Sequence, residues 1–109
     1  MLIDELRQQK EDCQKAIDRM IKLQRLQKNS DFEELILDGF CEKECARYAR
    51  LSGDPEVPEN VRLASSEACK ASGVFMRYIQ SINMVGQMAQ SELEEVENAI
   101  TQELMKGGE

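Results

Sequence analysis

From Val61 to Met105 the chain runs for 45 residues without a proline, and nothing stronger than the isolated glycines 73 and 86 interrupts it. Within this stretch Val61, Ala64, Ala68, Ala71, Phe75, Tyr78, Ile82, Val85 and Ala89 alternate steps of three and four residues. That spacing keeps one apolar stripe on one side of a helix, facing a partner. Beyond Val85 the stripe continues through Ala89, Leu93, Val96, Ile100 and Leu104, but with two successive four-residue steps about Ala89. Such an extra step reads as a stutter, which relaxes a left-handed supercoil locally. A single helix of this length spans roughly 68 Å at 1.5 Å per residue. A compact chain of this size has a radius of gyration of only roughly 13 Å. The mismatch favours a helix that reaches past its own monomer and pairs with another chain over one that kinks at Gly73 or Gly86.

The two halves of this segment differ. Residues 61–90 hold a single acid, Glu67, and carry Val74, Met76, Ile79, Met84 and Met88 off the main stripe. A helix apolar on more than one face is expected to be buried by several neighbours. Residues 91–109 are acidic and carry one narrow stripe. The first half therefore reads as core and the second as a protruding end. On that end Glu92, Glu94, Glu95 and Glu97 form a candidate partner-facing cluster.

Two shorter helices precede it. Over residues 2–28, Ile3, Leu6, Cys13, Ile17 and Met20 make a heptad stripe interrupted by Lys10. Asn29-Ser30 ends that pattern, and Ser30 with Glu33 reads as a capping box opening a helix over 31–52. The apolar positions of this helix are Phe32, Leu35, Ile36, Phe40, Ala46, Tyr48 and Leu51. Gly53 suits a left-handed helix end, and Pro55 forbids continuation. A loop over 53–58 then leads to the long helix, 59–105, and a tail, 106–109. The expected fold is all-α in one domain, 1–109: a helical hairpin plus one long C-terminal helix, with coiled-coil-like packing. The residues expected at packing surfaces or interfaces are Ile3, Leu6, Ile17, Met20, Phe32, Phe40, Ala68, Ala71, Phe75, Tyr78, Ile82, Val85, Ala89, Leu93, Val96 and Ile100.

Charge narrows the function. With 21 acidic against 14 basic residues the net charge is −7, which argues against direct nucleic-acid binding through phosphate neutralisation. Net charge alternates in blocks along the chain: residues 1–28 and 61–90 are basic, 29–60 and 91–109 acidic. No apolar run approaches the roughly 20 residues of a membrane span, and the charged start lacks a signal-peptide core. The expected location is a cytoplasm, with the four cysteines reduced. There is no histidine, hence no side chain that titrates near neutrality unaided and no Ser-His or Cys-His pair. No catalytic residues and no cofactor are expected. Cys41 and Cys45, four apart, could join Cys13 and Cys69 in a four-cysteine zinc site, yet close CxxC pairs are missing. Packing as small hydrophobes is the expectation for all four, with no metal.

The middle of the chain carries a resemblance. Asp31-Phe32, then Leu35-Ile36-Leu37-Asp38-Gly39-Phe40, Glu44-Cys45-Ala46-Arg47 and Asp54-Pro55 together resemble short acidic helical proteins of tailed bacteriophages. Tyr78, Ile79 and Ile82 partly match the long helix of that group, so the likeness covers roughly residues 20–90. Cys41 and Cys45 stand where the group has larger or non-thiol residues, and no cysteine role carries over. Some members accompany head and assembly genes. The resemblance implies a phage origin and a place in the host cytoplasm or the virion. It also implies a non-enzymatic structural or assembly role, by helical self-association into a homo-oligomer and docking on a capsid, portal or scaffold neighbour. The alternative is a small acidic inhibitor of a host nucleic-acid-binding or defence protein.

Overall fold

A computed structural model of the chain describes residues 2–107. Among them all regular structure is helical, with no strand. The first helix, α1, is Leu2–Gln27. The second, α2, covers 30–53 in three successive pieces: an α-helical turn Ser30–Phe32, a π-helical stretch Glu33–Glu44 and an α-helical stretch Cys45–Gly53. The third, α3, is Glu59–Gly107. The fold is therefore all-α with three helices. Helical structure in α3 is continuous through Gly73 and Gly86, and extends two residues past the expected end. Positions 108 and 109 of the expected tail lie outside the described residues.

Contacts divide the chain into two compact units, one of residues 2–24 with 81–107 and one of 25–80. Within the first, α1 lies antiparallel to the C-terminal part of α3. Lys10 approaches Glu97, Gln9 meets Glu92, and Met20 lies over Gly86, so numbers rise along one helix as they fall along the other. Cys13, Ile17 and Ala89 form the buried core here, flanked by Ala16 and Leu93. Met20, Leu23 and Val96 are buried as well. The acidic end of α3 thus packs against α1, contrary to the protruding end read from its charge. The reason is energetic. Full burial of one Ile, Leu or Met side chain stabilises by about 1.5–3 kcal/mol, while solvating the glutamates needs only that they sit to either side of the stripe.

Within the second unit, α2 begins at Asn29, whose side-chain oxygen accepts the Phe32 N–H at 3.0 Å. Asn29 is the cap in place of the expected Ser30, which lies inside the first turn. Both residue types cap well, but Asn29 has the extended backbone (φ −71°, ψ 123°) that a cap requires. At the far end Gly53 does not take a positive φ, so it is helical and makes no left-handed cap. The helix stops one residue later at Asp54, which is extended (φ −88°, ψ 112°). Asp54 precedes Pro55, and the proline ring disfavours helical backbone in the residue before it. Asp54 then accepts the Glu56 N–H at 2.9 Å, shaping the turn towards Pro58. The Pro58 carbonyl accepts the first amides of α3, from Val61 and Arg62, both at 3.0 Å.

The π-helical stretch is the departure that periodicity did not foresee. Closing on i→i+5 bonds, it adds a residue to each turn, and runs longer than one turn are rare. A Cβ at Gly39 would sit 3.1 Å from the Glu34 carbonyl five residues back, so glycine relieves the crowding this winding creates. The wider turn also resets the inward face. Phe32, Ile36, Leu37, Cys41 and Cys45 are half-buried, whereas Leu35 is 66% exposed. Phe40 sits at the margin of this face, its ring edge-on to Phe75 of α3 at 6.0 Å. Ala46 is exposed, while Tyr48 and Leu51 are half-buried.

Along α3 one row of shielded positions is Ser65, Ala68, Ser72, Phe75, Ile79, Ile82, Gly86, Ala89, Leu93, Val96, Ile100 and Glu103, with Arg62, Ser66, Cys69, Met76, Asn83 and Ala99 half-buried beside it. The steps of that row alternate three and four from end to end, without a stutter. Ala68, Phe75, Ile82, Ala89, Leu93, Val96 and Ile100 belong to the expected stripe. Val61, Ala64, Ala71, Tyr78 and Val85 were expected in that stripe too, but all five are exposed. Their places are taken one residue later by Ser65, Ser72, Ile79 and Gly86, all buried. A search for apolar residues passes over serine and glycine, and so rotates the stripe and generates a false stutter at Ala89.

Two comparisons test this register. Gly86→Ala places a Cβ against Met20, at 2.6 Å from its Sδ and 2.9 Å from its Cγ; overpacking of this kind costs about 1–3 kcal/mol. Gly73→Ala meets nothing within 4 Å and should stabilise by about 0.5–1 kcal/mol through helix propensity. Urea midpoints moving in opposite directions are the expected result. Likewise Asn29→Ala should cost about 1 kcal/mol, with Ser30→Ala costing less than half as much.

Candidate functional site

Of the expected interface residues, Ile17, Met20, Ala89 and Val96 are buried, and Ile3, Leu6, Leu93 and Ile100 half-buried. Those eight serve the chain's own packing. Phe32, Ala68, Phe75 and Ile82 are half-buried too. A second face of α3 is exposed. Ala71, Val74, Tyr78, Ser81, Val85 and Met88 are exposed and again step by three and four. Val74 is 70% exposed and Met88 65%. The helix therefore carries two heptad stripes side by side, one used internally and one facing outward.

In the first unit this outer stripe borders an open groove of about 290 Å³, lined by Ala16, Cys13 and Gln9 of α1 and by Val85, Met88, Ala89 and Glu92 of α3. Its lining is mainly apolar with a polar lip. At that lip Gln9 Nε2 donates to Glu92 Oε1 at 2.6 Å. Lys10 Nζ approaches Glu97 at 4.0 Å with both side chains about half exposed. A pair so hydrated contributes roughly 0–1 kcal/mol and serves mainly to set register. Two of the four candidate partner-facing acids, Glu92 and Glu97, are thus turned to α1. Glu94 and Glu95 are exposed.

Cys13 occupies the floor of this groove. Burial pushes its thiol pKa up, and the Glu92 charge and hydrogen bond add to the effect. It packs as a small hydrophobe with Ile17 and Ala89.

The second unit brings two cysteines together that sequence spacing could not pair. Cys45, the first residue after the π-helical stretch, and Cys69 of α3 have sulfurs 3.1 Å apart, partly buried. Cys45 also lies 3.9 Å from the Cys69 carbonyl. The buried Ser72 hydroxyl stands beside them and donates to that carbonyl at 3.0 Å. Hydrogen bonds from Ser72, and secondarily from Cys69, lower the Cys45 pKa, while the hydrogen bond to Cys45 raises that of Cys69. Cys41 is pushed up, by burial first and by Cys45 and Glu42 after it. All four cysteines are free thiols. Among the described residues no group of three or more His, Cys, Asp or Glu side chains is placed to hold a metal ion, so the four cysteines do not converge on a zinc site. Among the same residues no helix is long and apolar enough to cross a membrane. The one sequence signal for the pair was that Cys41 and Cys45 lie four apart; Cys69 is joined to them only by the fold.

Comparison with protein-family models, with curated proteins and with solved structures finds no match.

The Cys13 environment has a pH consequence. A thiol whose folded pKa is raised contributes stability that is present below its unfolded pKa, roughly 8.5, and lost as pH rises through the folded value. Urea stability of the wild type should therefore fall more steeply between neutral and strongly alkaline pH than that of Cys13→Ala. Parallel pH profiles for the two proteins would contradict it.

Proposed function

We propose that this chain is a non-catalytic interaction protein that self-associates through the outer stripe of α3, and that it serves as a structural or assembly component of a bacteriophage particle. The phage setting comes from the resemblance of residues 20–90 to short helical phage proteins. The observation that carries the interaction role is the second heptad stripe, with Val74, Tyr78, Val85 and Met88 each more than half exposed. Large apolar side chains left in water at helical spacing are the signature of a surface that is covered in use. The spacing of three and four suits another helix as the cover. The two methionines, Met84 and Met88, add a flexible and polarisable margin that adapts to a partner. A second copy of the same stripe is the simplest cover, because an isologous pairing needs only one patch. A capsid, portal or scaffold neighbour would then dock on the assembled oligomer.

The alternative, inhibition of a host protein by an acidic surface, draws less support. It needs Glu92, Glu94, Glu95 and Glu97 to act together, and two of the four are engaged with α1.

Light scattering on the full chain tests the proposal. The expected mass is at least twice the 12.4 kDa of one chain. The double variant Val85→Lys/Met88→Lys should return to one chain mass with unchanged helical circular dichroism. A wild type that stays at one chain mass at high concentration would end the self-association reading, and absence of the protein from purified particles would end the virion reading.

A further inference from the structure

We propose that Cys45 and Cys69 form a redox site, a dithiol that a peroxide converts into a disulfide joining α2 to α3. The geometry is already close to that of the product. The two sulfurs stand 3.1 Å apart, and a disulfide bond is about 2.05 Å long, so bond formation asks them to close by about 1 Å. Both belong to the same compact unit and are half-buried rather than sealed, so small molecules reach them. The Ser72 hydroxyl supplies a polar partner on the α3 side.

The chemistry balances as two steps. The Cys45 thiolate attacks one peroxide oxygen and the O–O bond breaks, giving Cys45 sulfenic acid and hydroxide, which takes up a proton to leave as water. The Cys69 sulfur then attacks the Cys45 sulfur and displaces its hydroxyl; that group departs as a second water with the proton lost from Cys69. The two cysteines are oxidised by two electrons together, and the peroxide is reduced to two waters. A small-molecule thiol or dithiol reverses the bond by exchange.

The order of attack follows from the hydrogen bonds. Donors aimed at Cys45 favour its thiolate, and the thiolate is the nucleophile. Cys69, whose pKa is raised by its hydrogen bond with Cys45, then acts as the resolving thiol. The other two thiols lack these conditions: Cys13 is buried against Glu92, and burial also holds Cys41 protonated. The π-helical winding matters here, because it sets the turn on which α2 delivers Cys45 to α3. Closure would link positions 24 apart in sequence, across the loop that holds Pro55 and Pro58, and so tie α2 to α3. A reducing cytoplasm keeps the pair open, and a pulse of peroxide closes it. Because both sulfurs belong to one chain, the site does not depend on self-association.

The test uses the full reduced chain, freed of reductant and treated with equimolar hydrogen peroxide. The expected product has lost two hydrogens by intact mass, yields a Cys45–Cys69 cross-linked peptide, unfolds several degrees higher and reverts with dithiothreitol. A Cys13→Ser/Cys41→Ser double variant should behave the same way. Cys69→Ser should instead accumulate a sulfenic acid at Cys45, trapped by dimedone. A cross-link mapping to any other pair or between chains, or failure of the double variant to close, overturns the proposal. So does survival of both thiols while the protein remains folded.

Discussion

The close approach of Met20 to Gly86 decides how the first unit is built. With no side chain at position 86, the body of Met20 settles directly on the α3 backbone. Cys13 and Ile17 then follow onto Ala89 in antiparallel order. A larger residue at 86 would lift α1 away and open the contacts on either side. Gly86 thus belongs to the interior as fully as Ile79 or Val96, although it contributes no apolar surface. Its effect is to let dispersion contacts form at close range, where they are strongest.

The second unit is governed by a different device. Winding α2 as a π-helix through Glu44 turns Cys41 and Cys45 inward and moves Leu35 out. It brings Phe40 edge-on to Phe75 and sets Cys45 against Cys69. None of the residues of the π-helical stretch is fully buried. Cys45, just beyond it, is half-buried, whereas Cys13 is buried in the floor of the groove that Gln9 and Glu92 also line. Burial and the Glu92 charge push the Cys13 thiol pKa up, while hydrogen bonds from Ser72 and Cys69 lower that of Cys45.

The two apolar stripes of α3 differ in what covers them. Its inner stripe is spent on intrachain packing and includes serines and a glycine that allow neighbours close. The outer stripe holds larger side chains, Val74, Tyr78, Val85 and Met88, and remains in water. Displaced from one another by one residue, the two stripes lie about 100° apart around the helix. A helix with this arrangement can hold its own domain together with one face and present the other. The acidic residues of its last turns are compatible with both roles, since Glu92 and Glu97 help register α1 while Glu94 and Glu95 keep the far side hydrated.

The linear sequence by itself determined that the chain is helical and placed the three helices to within a few residues. Proline position, helix-former content and three-four spacing are local properties, and they act through backbone geometry that each residue carries with it. Much of the α3 core was legible in the same way, through Ala68, Phe75, Ile82, Ala89, Leu93, Val96 and Ile100, as were Ile17 and Met20 of α1. Which side of α3 turns inward was decided only by tertiary packing. Ser65, Ser72 and Gly86 are inside because a neighbour needs the space they leave, and no scale of hydrophobicity expresses that need. The long proline-free segment therefore specified a helix with more apolar surface than one domain can cover, and the fold chose which stripe to cover. The pairing of Cys45 with Cys69 was likewise decided in three dimensions, by a loop and a change of helical winding that bring distant thiols within reach.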